Sequence, residues 1–155
     1  MGPGRAGKTG AGWEMTPDGI LFLTALAIGM LCVFLWIFAK ARSNGGVAEL
    51  PSFLMFGWGG AAWGQTCIVV DRADWSKTAL IAHERCHQQQ MERDGTATFY
   101  WRYLTNKEDR QRYEVEAYRV WVQVEPNDLW RCVRALTGSY GLGITDQEAA
   151  ELLTK

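Results

Sequence analysis

The stretch SKTALIAHERCHQQQMERDG, Ser76 to Gly95, decides how the second half of this chain is read. Ser76 is a good helix N-cap residue and Asp94-Gly95 a stop signal, so a helix is predicted from about Lys77 to Arg93. On that helix His83 and His87 stand four apart, which puts both imidazoles on one face where they can converge on a single cation. Glu84 follows the first histidine directly and can reach a water held by that cation. Ala79, Leu80, Ile81 and Ala82 lead into the pair, an apolar approach that suits a buried helix rather than one carrying two solvated histidines. The chain has only two histidines. Placed at random, two histidines fall four apart roughly once in eighty cases, before a glutamate between them is required.

Working outward, Thr66 to Val70 (TCIVV) reads as a short β-branched strand. The Gly-rich apolar stretch Leu50 to Gly64 holds Phe53, Phe56, Trp58 and Trp63. It is expected to form a hairpin packed in the core, the alternative being a place at a lipid headgroup layer. Downstream, helices are predicted from Thr96 to Leu104, from about Lys107 to Val124 (stopped by Pro126), and from Asp128 to Leu136 (closed by Gly138). A last helix opens at Thr145, whose spacing to Glu148 is that of a capping box. The expected fold class is therefore α+β, mainly helical, with a short strand or hairpin packed on the helix that carries the histidines.

The chain has 155 residues, 16 Lys+Arg against 17 Asp+Glu, and a net charge of −1. That balance argues against a protein held to nucleic acid by bulk charge, and no nucleic-acid partner is expected. Mean hydropathy is −0.15 although 48% of residues are hydrophobic, so the apolar residues must be concentrated. They are concentrated in Ile20 to Ala39, ILFLTALAIGMLCVFLWIFA, twenty residues without a charge. At 1.5 Å rise per residue such a helix spans about 30 Å, the thickness of a bilayer hydrocarbon core. A cleaved signal peptide is the less suitable reading, because its apolar region is shorter and this one follows a long leader.

The chain is thus divided into a flexible tail (1–18), a single transmembrane helix (19–40) in contact with the bilayer, a linker (41–48) and a soluble domain (49–155). Lys40 and Arg42, adjacent to the helix end, favour the cytoplasmic side for that domain. Cys32, Cys67, Cys86 and Cys132 show no pairing framework. Gly2 to Thr9 fits the phosphate-binding loop expression literally. It has no preceding strand and no βαβ unit after it, so no nucleotide is expected.

A catalytic zinc takes three protein ligands and keeps one position for water. With both histidines used, the third ligand must be Glu, Asp or Cys. Cys86 is better read as packing. Glu114 and Glu116 lie two apart on the helix predicted from Lys107, so only one of them can face the metal. Glu114 shares its face with Tyr118 and Trp121, and a carboxylate on a buried aromatic face needs a cation. Glu116 suits a solvated position beside Arg112 and Arg119. Glu114 is favoured, with Glu116 the alternative.

His83-Glu84-x-x-His87, followed by Glu114-Val115-Glu116-Ala117 on a second helix, resembles the gluzincin pattern of zinc metallopeptidases. The likeness is closest to the membrane-associated HtpX-like and CAAX-prenyl endopeptidases and to small phage and bacterial relatives. Gln90, Gly95, Phe99 and Trp101 to Tyr103 extend it, over about Thr66 to Val122. The metzincin class is excluded by Gln90 and Arg93, which stand where that class has Gly and His.

The resemblance implies a zincin-like domain, Zn2+ bound by His83, His87 and Glu114, Glu84 as general base, and a peptide or protein substrate. It implies an edge strand at Thr66–Val70 along which the substrate would lie. Where the family commonly has Asp to orient a ligating histidine, this chain has Tyr118. Tyr113, Tyr118 and Tyr140 are candidates for stabilising the oxyanion. The expected function is a membrane-anchored zinc-dependent peptidase. The rival is a non-catalytic membrane or virion component in which zinc only staples the fold.

Overall fold

The computed structural model describes residues 16–50, 60–70 and 75–155. The expected flexible tail and its phosphate-loop-like string fall almost wholly outside them, as do Phe53, Phe56 and Trp58 of the expected hairpin. The chain divides into two compact units, 1–36 and 37–155. The first holds most of helix α1 (Pro17–Ser43), whose first turn carries Asp18 and whose last carries Lys40 and Arg42, each sign matched to the helix dipole. With 27 residues, α1 is long and apolar enough to cross a membrane.

In the second unit α1 ends by burying Ala41, and the Gly46 N–H donates to the Ala41 carbonyl at 2.8 Å as the chain turns. Strand β1 (Val47–Leu50) comes next, where the sequence predicts the end of a linker. Strands β2 (Gly60–Trp63) and β3 (Thr66–Val70) form a hairpin about Gly64-Gln65. The sheet order is β1-β3-β2, with β1 parallel and β2 antiparallel to β3. Thr66–Val70 is therefore the central strand and not an edge strand. The short β1, with too few residues to signal a strand by itself, pairs along its other side.

Helix α2 (Lys77–Asp94) is capped by the Ser76 hydroxyl and ends at Gly95. It packs against β2 and β3 and along α4 (Lys107–Val124), with α3 (Thr96–Thr105) touching both helices. The α4 boundaries coincide with those predicted: the Asn106 side chain caps the first turn and Pro126 opens a 3-10 turn beyond. Helix α5 (Leu129–Ser139) runs through Gly138, the expected stop, and the chain reverses instead at Gly141, φ 63°. Helix α6 (Asp146–Thr154) carries the predicted Thr145–Glu148 capping box.

One core joins Val69 of the sheet and Leu80 of α2 to Tyr118 and Trp121 of α4, Val133 and Leu136 of α5, and Leu153 of α6. A smaller cluster of Met91, Phe99 and Tyr113 fills the corner between α2, α3 and α4. The four cysteines are free thiols; Cys67, Cys86 and Cys132 are buried and Cys32, on α1, is exposed.

Candidate metal centre

Helices α2 and α4 lie side by side and turn polar and ionisable groups into their contact. His83, Glu84, His87 and Gln90 come from α2, Glu114 from α4, and all are buried. The two imidazoles meet through their Nε2 atoms, 3.2 Å apart. Glu114 completes a triangle, its Oε2 lying 3.7 Å from Nε2 of His83 and its Oε1 3.6 Å from Nε2 of His87. Donors about 2.0–2.2 Å from an ion at tetrahedral angles would be about 3.3–3.6 Å apart. The three edges lie close to that spacing, so His83, His87 and Glu114 form a buried triad that can hold a metal ion.

The polar atoms of the triad fit a cation by a second criterion. Among the described residues, Oε2 of Glu114 and Nδ1 of His83 are buried with no hydrogen-bond partner. An orphaned buried carboxylate oxygen costs on the order of 1–3 kcal/mol, more when ionised. Burial raises the Glu114 carboxyl above its ordinary range, and burial, then the neighbouring His87, holds His83 well below its own. A neutral imidazole beside a carboxylate lone pair is a ligand set that a divalent cation satisfies.

Glu84 is held differently. It leaves α2 towards β2, where its Oε1 lies 2.5 Å from the point at which a Cβ on Gly60 would stand. Glycine at 60 is what lets the carboxylate lie against the strand. Burial, and next the Glu114 carboxylate, push the Glu84 carboxyl well above the usual range. The same strand is tied to α3 by Tyr100, whose hydroxyl donates to the Ala62 carbonyl at 2.8 Å.

The tyrosines sort themselves by partner. Tyr113 donates to Asp94 Oδ2 at 2.6 Å, within the Met91–Phe99 corner, and so is spoken for outside the triad. Tyr118 packs its ring on His83, centroids 4.4 Å apart, and its hydroxyl lies 3.0 Å from that of Tyr140. Burial raises both phenols, which keeps them protonated and able to donate. Tyr103, which sequence reasoning did not single out for a role, donates to Glu114 Oε1 at 2.5 Å. It reaches the triad from α3, and nothing in its spacing to Glu114 announces the contact.

Of the two carboxylates weighed for the third ligand position, Glu114 enters the triad and Glu116 does not. The Glu116 side chain is 43% exposed and accepts from Arg93 Nη1 at 3.1 Å. The arginines expected beside it turn elsewhere, Arg112 to Asp109 and Arg119 to the Leu152 carbonyl. Cys86 takes no part in the triad; burial raises its thiol to about 11. At the position where the resemblance puts Asp, Tyr118 meets His83 in a T-shaped ring contact. It is His87 that has an oriented partner, Gln90 Oε1 at 2.8 Å from its Nδ1. No protein-family model, no curated protein and no solved structure matches this chain, so the triad is read from its own geometry.

Proposed function

We propose that this chain is a membrane-anchored zinc-dependent peptidase of gluzincin type with a zincin-like domain. The observation that carries the reading is the buried triangle of His83, His87 and Glu114 with Glu84 one residue along the same helix. Two imidazoles and one carboxylate are the donor set of catalytic zinc, which keeps a further position for water. Such an ion, when bound, would lower the pKa of that water towards about 7 and polarise a peptide carbonyl.

The protein's own groups supply the rest. Glu84, made more basic by burial, accepts a proton from the attacking water and returns it to the leaving amine. Tyr118 and Tyr140 are hydrogen-bonded to each other and kept protonated, so the pair has one O–H left to offer a developing oxyanion. Tyr103 holds the Glu114 carboxylate through Oε1 and leaves Oε2 for the cation. Helix α1 anchors the chain in the bilayer, and Lys40 and Arg42 at its C-terminal end support a cytoplasmic position for the soluble domain.

Glu84→Gln tests the proposal. The variant should keep wild-type zinc stoichiometry while peptide cleavage falls by about 10²–10⁴-fold, the usual contribution of a positioned base. A wild-type protein that takes up zinc yet cleaves nothing in a broad peptide library would make the site a staple of the fold.

A further inference from the structure

We propose that Gln90 is a positioning residue that fixes His87 as the Nδ1-protonated tautomer, and that Glu116 and Arg93 hold Gln90 in the orientation this requires. The far end of the amide sets that orientation. Gln90 Nε2 lies 3.0 Å from the Tyr113 carbonyl oxygen and 3.0 Å from Glu116 Oε2. Both atoms only accept, so the amide nitrogen must face them and the side chain cannot flip. Oε1 is thereby turned to His87 Nδ1 at 2.8 Å. An amide oxygen only accepts, so that ring nitrogen carries the hydrogen.

Of the two neutral tautomers, each with one N–H, this contact selects the one in which Nε2 of His87 keeps its lone pair. That lone pair points to the place shared with His83 Nε2, at 3.2 Å, and Glu114 Oε1, at 3.6 Å. Arg93 donates through Nη1 to Glu116 Oε1 at 3.1 Å and keeps that carboxylate in place. A run of hydrogen-bonded side chains thus links the half-exposed Arg93 to the buried imidazole. His83 has no equivalent, since its Nδ1 is without a hydrogen-bond partner among the described residues. The two histidines are unequal: one is set by hydrogen bonds, the other by packing against Tyr118.

The effect on affinity rests on the metal reading, but the tautomer is a property of the metal-free chain, so the two can fail separately. The full chain in detergent micelles is compared with Gln90→Met and Glu116→Ala by 15N spectra of the imidazoles and by zinc titration against a competing chelator. Metal-free wild type should show His87 protonated at Nδ1 and bare at Nε2. Gln90→Met should mix the tautomers and weaken zinc by about 10–100-fold, the range for removing a ligand's hydrogen-bond partner. Glu116→Ala, at a half-exposed position, should do both to a smaller extent, and it carries the test if Gln90→Met does not fold. His87 protonated at Nε2 in the wild type, or both variants indistinguishable from it in tautomer and zinc affinity, overturns the inference. Tautomer shifts as expected in a chain that binds no zinc would uphold the positioning role and sink the metal reading alone.

Discussion

Helix α1 and the α2–α4 pair break the rule of apolar inside and polar outside in opposite directions. From Ile20 to Trp36 the large apolar side chains of α1 are about half exposed or more, Phe22 at 69%. Between α2 and α4 lie two histidines, a glutamate and a glutamine that are all but sealed, Glu114 at 1%, and Glu84 is buried beside them against β2. Water is the wrong surrounding for the first set, and a plain apolar core the wrong one for the second. Each violation points to a surrounding that would relieve it: a hydrocarbon layer for the apolar helix, a divalent cation for the converging lone pairs. A protein fold reveals its partners where burial and polarity disagree.

The largest expected effect tests the first half of that contrast. Leu31→Arg puts a charge at the middle of α1, where insertion costs about 2.5–3.5 kcal/mol. The fraction retained in membranes after alkaline extraction should drop sharply, and an unchanged fraction would mean that α1 does not span. The second half is tested by adding zinc at about a hundred times its Kd. The protein should gain about 2.7 kcal/mol, visible as a rise in Tm, and Glu114→Ala should abolish the rise. If zinc raises Tm equally in that variant, the triad is not where it binds.

Gly60→Ala sharpens the picture of Glu84. The new methyl would meet the carboxylate, the free end of a flexible side chain, so the carboxylate should swing aside with little loss of stability. Hydrolysis should fall by about 10–100-fold while zinc uptake is kept, as when a reacting group is displaced by about 1 Å. The smallest effect is a control. Thr145→Ala removes the capping box of α6 and should cost about 1 kcal/mol of stability in chemical unfolding, with zinc affinity untouched.

What can be read in the sequence is local. Helix α4 is legible because Pro126 stops it and its buried face repeats through Glu114, Tyr118 and Trp121. The histidine pair is legible because helical geometry alone brings positions four apart together. Strand β1 is not legible, since Val47–Leu50 owes its conformation to β3, about twenty residues on. The edge position that the resemblance implies for Thr66–Val70 gives way to the centre of the sheet, because strand order is a property of the sheet and not of any one strand. The links from Tyr103 to Glu114 and from Gln90 to Glu116 are hidden too, because each joins two helices whose mutual rotation no single-helix pattern encodes. In the sequence Gly60 is one glycine among many, and only the approach of Glu84 gives it a role.

The distribution of thiols gives the native chain a built-in reporter. Burial holds Cys67 and Cys86 at about 11 and Cys132 at about 12, so at neutral pH these sulfurs stay protonated and slow to alkylate. Cys32 alone is open, on the surface of α1. A maleimide offered to the unmodified protein therefore interrogates one position, labelling it in an aqueous suspension and sparing it once lipid closes around the helix.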